Sequence, residues 1–169
     1  KARRQVQIIE QTNYPFGREI KFTIKECEQL RFPIRFRIPS WARGARLLLN
    51  GNTLPDVVPG EFFTIDREWN SGDYVELNLP MNIRISRWRN NSIAIERGPL
   101  VFALGIDEEW ERLKGVDPFA DWEVYPKSPW NYGILLDSKQ PDKSFEVVER
   151  PIGFQPFSPQ SAPVYLIAK

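Results

Sequence analysis

Apolar and polar residues alternate one for one again and again in the N-terminal part of this chain, and no other feature limits its possible folds as severely. Ile20, Phe22 and Ile24 are interleaved with Glu19, Lys21, Thr23 and Lys25, and Phe32, Ile34, Phe36 and Ile38 with Arg31, Pro33, Arg35 and Arg37. A period of two sends one face of a strand to a core and the other to water, the pattern of half-buried antiparallel sheet. Further segments read as strands: Val6 to Ile9, Ala45 to Leu49, Phe62 to Asp66, Tyr74 to Leu79, Asn82 to Trp88, Ile93 to Ile95 and Leu100 to Leu104. Asn50-Gly51, between Leu49 and Leu54, has the residue types of a type I′ hairpin turn, which needs positive φ at both central positions. Pro59-Gly60 and Ser71-Gly72 mark further turns, and Pro39 and Pro80 close strands because proline cannot donate to a ladder. Pro33 inside an alternating run places that strand at an edge or a bulge. Short strands at near-regular spacing predict an all-β, antiparallel β-sandwich of jelly-roll-like form.

After Gly105 the texture changes. The expected organisation is a main sandwich over 1–105, an irregular insertion over 106–130, and strands over 131–169 that return to the same sandwich and stop short. Within the insertion, Ile106 to Leu113 reads as a short helical turn; within the last segment, Ile134 to Leu136 and Phe145 to Val148 read as strands. This C-terminal part is the less regular portion of the fold, and no linker divides it cleanly from the rest.

Charge excludes several partners. Twenty-three Lys and Arg against 22 Asp and Glu leave a formal charge of +1, with no basic run beyond Arg3-Arg4 and its flanks. Neither nucleic acid nor an anionic membrane is expected. No stretch approaches the ~20 apolar residues that span a bilayer, and Lys1 to Gln5 lead into a strand pattern and not into a signal peptide. The absence of an initiator Met and the apolar final run Val164 to Ala168 suggest a soluble piece of a longer protein. One cysteine, Cys27, forms no internal disulfide and leaves localisation unknown.

The chain contains no histidine. That removes every Ser-His-Asp or Cys-His nucleophile pair and the commonest transition-metal ligand, so no metal site is expected. Cys27 is expected to be a small hydrophobe at a strand end. Two carboxylates flanking a sugar bond are enough for glycoside hydrolysis, which singles out Asp66, Glu68, Asp73 and Glu96. Their positions beside turns suit solvated acids or an Asp bonded to its own backbone, so no catalytic residue is assigned. Glycine-rich phosphate loops and calcium loops are also missing. Six tryptophans suggest stacking on sugar rings; Trp69 and Trp41 read as core or as cover for a sheet end, whereas Trp88, Trp122 and Trp130 lie in less regular segments and are the candidate carbohydrate ligands, with Asn90, Asn91 and Asn131 as polar neighbours.

Several phrases taken together resemble glycoside hydrolase family 127, the β-L-arabinofuranosidase-like enzymes, in their C-terminal region. They are Thr12-Asn13-Tyr14-Pro15, Phe36-Arg37-Ile38-Pro39-Ser40-Trp41-Ala42, Asn50-Gly51, Pro59-Gly60, Trp69 with Gly72-Asp73, Leu79-Pro80-Met81 and Glu96-Arg97-Gly98-Pro99-Leu100-Val101, in family order over roughly the first 105 residues. Ser128 to Gly133 is similar to a later element of related members. The resemblance implies a parent whose catalytic (α/α)6 barrel precedes β-sandwich domains of this kind. In such relatives a cysteine nucleophile works beside zinc held by cysteines and a glutamate; none of those positions falls in the matched phrases, so Cys27 is not promoted and any zinc belongs to the parent's catalytic domain. The expected role is therefore a non-catalytic accessory sandwich packed on the barrel of the same parent chain, with contact to a homodimer partner as a further role and carbohydrate binding as the alternative. Arg97 and Trp41 are the interdomain or structural candidates; Arg97 is expected to pair with a carboxylate in this domain or to dock the barrel.

Overall fold

The computed structural model describes residues 5–27, 29–158 and 160–169; the Arg3-Arg4 pair lies outside them. The chain divides into two compact units, one of Lys1–Arg84 and Glu96–Val101, the other of Ile85–Ile95 and Phe102–Lys169. No helix among the described residues is long and apolar enough to cross a membrane.

The first unit is built from β1 (Gln7–Thr12), β2 (Glu19–Glu26), β3 (Leu30–Arg37), β4 (Arg46–Leu49), β5 (Asn52–Thr53), β6 (Phe62–Trp69) and β7 (Tyr74–Asn78). These form a five-stranded sheet in the order β1-β2-β7-β4-β5 and a two-stranded sheet of β3 and β6, all antiparallel. Register explains the alternation in the sequence. Ile24, Phe22 and Ile20 of β2 stand opposite Ile8, Glu10 and Thr12 of β1, while Phe22 and Ile20 stand opposite Val75 and Leu77 of β7. Val75 and Leu77 in turn face Leu49 and Leu47 of β4. Directly opposed residues share a face, so these side chains form the inner surface of the sheet. The outer surface is polar, with Lys21 3.2 Å from Glu76 and lying over the Tyr74 ring.

Phe36, Ile65 and Trp69 of the smaller sheet join Ile24, Leu47, Val75 and Leu77 in one core, and the Phe22 and Phe36 rings meet edge to face across the two sheets. Trp69 is fully buried and donates its indole N–H to Phe32 O at 2.9 Å. Pro33 sits in β3, whose only partner among the described residues is β6, so its missing N–H falls on an edge strand.

The Asn50-Gly51 turn adopts the expected backbone, with φ of 50° and 81°. It is also tied to the turn between β6 and β7. Asn50 donates its side-chain amide to Asp73 Oδ1 at 2.7 Å and accepts the Tyr74 N–H at 2.9 Å, while Asp73 Oδ2 accepts the Asn70 N–H. Burial of the Asp73 carboxyl opposes its ionisation, but the Asn70 N–H, the Asn50 amide and the Arg67 guanidinium at 3.7 Å outweigh it and hold its pKa below the usual 3.8.

β8 (Ile83–Arg87), β9 (Ile93–Arg97) and β10 (Leu100–Phe102) form a three-stranded sheet in the order β10-β9-β8. β9 turns into β10 through Gly98, whose φ is +57° and whose added Cβ would lie 2.8 Å from Met81 Cγ.

The second unit contains β11 (Glu108–Lys114) paired with β12 (Asp121–Pro126), and β13 (Phe145–Glu149) paired with β14 (Val164–Ala168). Two expectations are corrected here. Ile106 to Leu113 does not form a helical turn: its residues favour helix intrinsically, but β12 offers a ladder and cross-strand partners, including a Trp110–Trp122 ring contact at 6.4 Å and a Lys114–Asp121 ion pair at 3.4 Å. Ile134 to Leu136 is not a strand, and Leu135 is 92% exposed. The strand at Phe145 does not rejoin the larger sheet, since its hydrogen-bonded neighbour is β14.

Two outcomes test this account. Replacing Asp73 with Asn should lower stability at neutral pH by about 1–3 kcal/mol, the usual worth of hydrogen bonds to a charged group. A native pKa that is depressed contributes stability above the ordinary carboxylate range and loses it as pH falls through the native value, so the difference between D73N and wild type in urea unfolding should shrink as pH falls below the ordinary carboxylate range. Gly98→Ala should cost about 1–3 kcal/mol, because the left-handed backbone must accept a Cβ and Met81 must move; thermal unfolding measures it.

Candidate functional site

Three of the four acids singled out for chemistry have a hydrogen-bonded structural partner. Asp66 stands opposite Pro33 and accepts from Arg31 Nε at 3.2 Å, on the exposed face of the smaller sheet. Glu68 stands opposite Arg31. Asp73 belongs to the turn knot with Asn50 and Asn70. Glu96, on β9, receives the Arg84 guanidinium of β8 at 2.6 Å, and the same nitrogen donates to Gly98 O at 3.1 Å. Sequence reading missed Arg84; its position on the strand next to β9 is what brings it to Glu96, and only the hairpin reveals that.

Cys27 lies partly buried after the end of β2, donating its thiol to Trp69 O at 3.3 Å and its N–H to Ser71 Oγ at 3.0 Å. These contacts make it a tie between a strand end and a turn. Among the described residues no three His, Cys, Asp or Glu side chains gather as metal ligands.

The candidate carbohydrate ligands are scattered along the second unit. Trp88 ends the β8 segment beside the turn Arg89–Asn91, is 68% exposed, and donates its indole N–H to Ser86 Oγ. Both Asn90 and Asn91 hold positive φ there, so the turn is set by backbone conformation. Trp130 is 60% exposed in an irregular segment. Trp122 lies on β12 with the Arg112 guanidinium 4.8 Å above its ring and Trp110 at its edge. Register places Trp110, Val124, Arg112 and Trp122 on one face of the β11–β12 hairpin. Trp110 is therefore the aromatic that sequence reading left out; the signal that could have found it is the turn-forming Gly115 and Asp117-Pro118 between β11 and β12, which the helical reading of Ile106 to Leu113 masked. On the opposite face Glu123 accepts the Tyr125 hydroxyl and, first through that bond and then through its charge, raises the phenol's pKa. Among the described ring contacts none joins Trp88, Trp122 and Trp130.

Trp41 is half-buried against the core of the first unit, in the turn that follows β3. Arg97 is half-buried at the last position of β9, immediately before Gly98.

Comparison with known proteins matches residues 1–81 to the family described as "Beta-L-arabinofuranosidase, GH127 middle domain". A search of curated proteins found no match. Among solved structures, a chain named "Glycoside hydrolase" is 20% identical with a TM-score of 0.53, covering 77% of this chain and 26% of its own. A GH127 beta-L-arabinofuranosidase from Geobacillus stearothermophilus T6 is 24% identical with a TM-score of 0.52, covering 78% of this chain and 25% of its own. A GH127 beta-arabinofuranosidase is 17% identical with a TM-score of 0.52, covering 97% of this chain and 27% of its own. At these identities the likeness is one of fold, and this chain spans about a quarter of the length of each solved chain. Antiparallel sheets throughout, a sandwich core in the first unit and the match over residues 1–81 together make this an all-β chain that carries a GH127-like region.

Proposed function

We propose that this chain is a non-catalytic accessory β-sandwich domain of a larger glycoside hydrolase of the GH127 kind, packing against and supporting a catalytic (α/α)6 barrel in the same polypeptide. The observation that carries the reading is the middle-domain match over residues 1–81, together with solved relatives about four times longer than the segment this chain resembles. Two further features support it. The carboxylates Asp66, Asp73 and Glu96 are engaged by arginines or turn amides, which suits fold maintenance better than acid–base work. The second unit exposes large apolar side chains, with Leu135 at 92% and Phe154 at 98%, which are available to meet another part of the protein.

A second reading, a sugar-binding module, is favoured by the exposed indoles of Trp88 and Trp130, whose faces can stack on the apolar side of a sugar ring. Titration of the chain with arabinose-containing oligosaccharides, in wild type and in Trp88→Ala and Trp130→Ala, decides it. Heat or chemical-shift changes lost in those variants would establish binding, and none in wild type would remove it.

For the leading reading, the isolated chain should leave p-nitrophenyl β-L-arabinofuranoside unhydrolysed while the full-length parent turns over its glycoside substrate. Leu135→Ser with Phe154→Ser should lower the Tm of the parent but leave the Tm of the isolated chain nearly unchanged, since both side chains already face solvent there. Hydrolysis by the isolated chain, or a parent indifferent to both substitutions, would overturn this assignment.

A further inference from the structure

The sandwich of the first unit is lopsided: five strands face two. On its uncovered side lies an open groove of 490 Å³. One wall is the inner face of the larger sheet, presenting Ile8 and Glu10 of β1 and Ile20 and Phe22 of β2. The other wall is β3, and there the lining runs through four consecutive residues, Ile34, Arg35, Phe36 and Arg37. Successive side chains of a strand point to opposite faces, so a wall made of consecutive residues is the strand's backbone edge.

That edge has unused hydrogen-bonding groups. Ile38 donates its N–H to Glu61 O at 2.9 Å and accepts the Gly60 N–H at 2.8 Å. Residues in an antiparallel ladder alternate between bonding their partner and turning away from it, so the even-numbered residues of β3 bond β6 while Arg35 and Arg37 turn their N–H and C=O groups to the groove. Among the described residues no strand pairs with β3 on that side.

Charge selects the occupant. Arg31 has Glu68 opposite it on β6 and an ion pair with Asp66. Arg35 and Arg37, by contrast, stand opposite Thr64 and Phe62, so neither has a carboxylate directly across from it on β6, and the Arg35 guanidinium lies 4.9 Å over the Phe62 ring. An exposed edge with two cations on its own strand, facing a mainly apolar wall that holds a single carboxylate, Glu10, fits an extended peptide with apolar residues at alternate positions toward that wall and carboxylates between them toward Arg35 and Arg37.

We propose that the groove takes such a segment as a third strand on β3, and that the segment is supplied by the remainder of the parent chain. This rests on the accessory-domain reading for the source of the strand. In the complex, backbone bonds form at Arg35 and Arg37, the alternate apolar side chains cover Ile8, Ile20 and Phe22, and the carboxylates meet the two arginines.

The test is amide hydrogen exchange at Arg35 and Arg37. Exchange should be fast in the isolated chain and slower by about tenfold or more in the full-length parent, the mark of a bond made there. The probe for the isolated chain is the blocked peptide Val-Asp-Val-Glu-Val-Asp-Val. It should slow the same two amides, and a version with Lys in place of the acids should bind about tenfold more weakly, equivalent to about 1.4 kcal/mol. N-methylation along one edge of the peptide should abolish binding, and along the other edge should leave it intact, without any change to the protein. Equal binding of the acidic and lysine peptides, indifference to which edge is methylated, or unprotected amides in the parent would each overturn the proposal. Unprotected amides in a parent that is still destabilised by the Leu135 and Phe154 substitutions would overturn it alone. Protected amides in a parent indifferent to those substitutions would support it while removing the docking role proposed for the second unit.

Discussion

Trp69 is the constraint on which the first unit depends. Its indole fills the space between the two sheets, its N–H is satisfied by Phe32 O, its ring lies 6.0 Å from that of Phe32, and its own carbonyl accepts the Cys27 thiol. One residue thus joins the smaller sheet to itself across β3 and β6 through its indole and ties the end of β2 to the same point through its carbonyl. Burying an indole brings a large apolar gain only when its N–H has a partner, and the strand register supplies that partner without a second polar side chain in the core.

The turns carry the next level of order. Asn50 and Asp73 belong to different turns, yet they share a hydrogen bond, and Asp73 accepts the Asn70 N–H in its own turn while Asn50 accepts the Tyr74 N–H at the start of β7. Interlocking two turns fixes the register of β4 against β7 at the Leu49–Val75 end of their ladder, which matters because a one-residue slip would send every apolar side chain of those strands to water. The polar residues of this chain are therefore invested chiefly in geometry. Arg84, Glu96 and Gly98 show the same use, where an ion pair between β8 and β9 and a contact to the Gly98 carbonyl brace the β9–β10 turn, whose left-handed backbone glycine accepts readily.

Much of this was legible in advance. The strands of the first unit follow the alternation of residues such as Ile20, Phe22 and Ile24, and Asn50-Gly51 adopts the turn its residue types demand. The second unit was less legible, since Glu108 to Lys114 has no clean period and good helix formers, so local preference pointed the wrong way until β12 supplied a ladder. Candidate site residues fared unevenly for a related reason: exposure of Trp88 and Trp130 is visible in their irregular surroundings, but the company of Trp110 and Trp122 depends on a pairing that the helical reading of Ile106 to Leu113 masked.

The sequence by itself determined the class of the fold, the positions of its tight turns and the absence of histidine chemistry, because these follow from periodicity and from what single residue types can or cannot do. Only the tertiary structure decided which strands share a sheet, which arginine meets Glu96, and that β3 is left with an open edge above an apolar groove. Those are matters of which distant segments meet, and alternation reports that a strand has an inside and an outside without naming its neighbour.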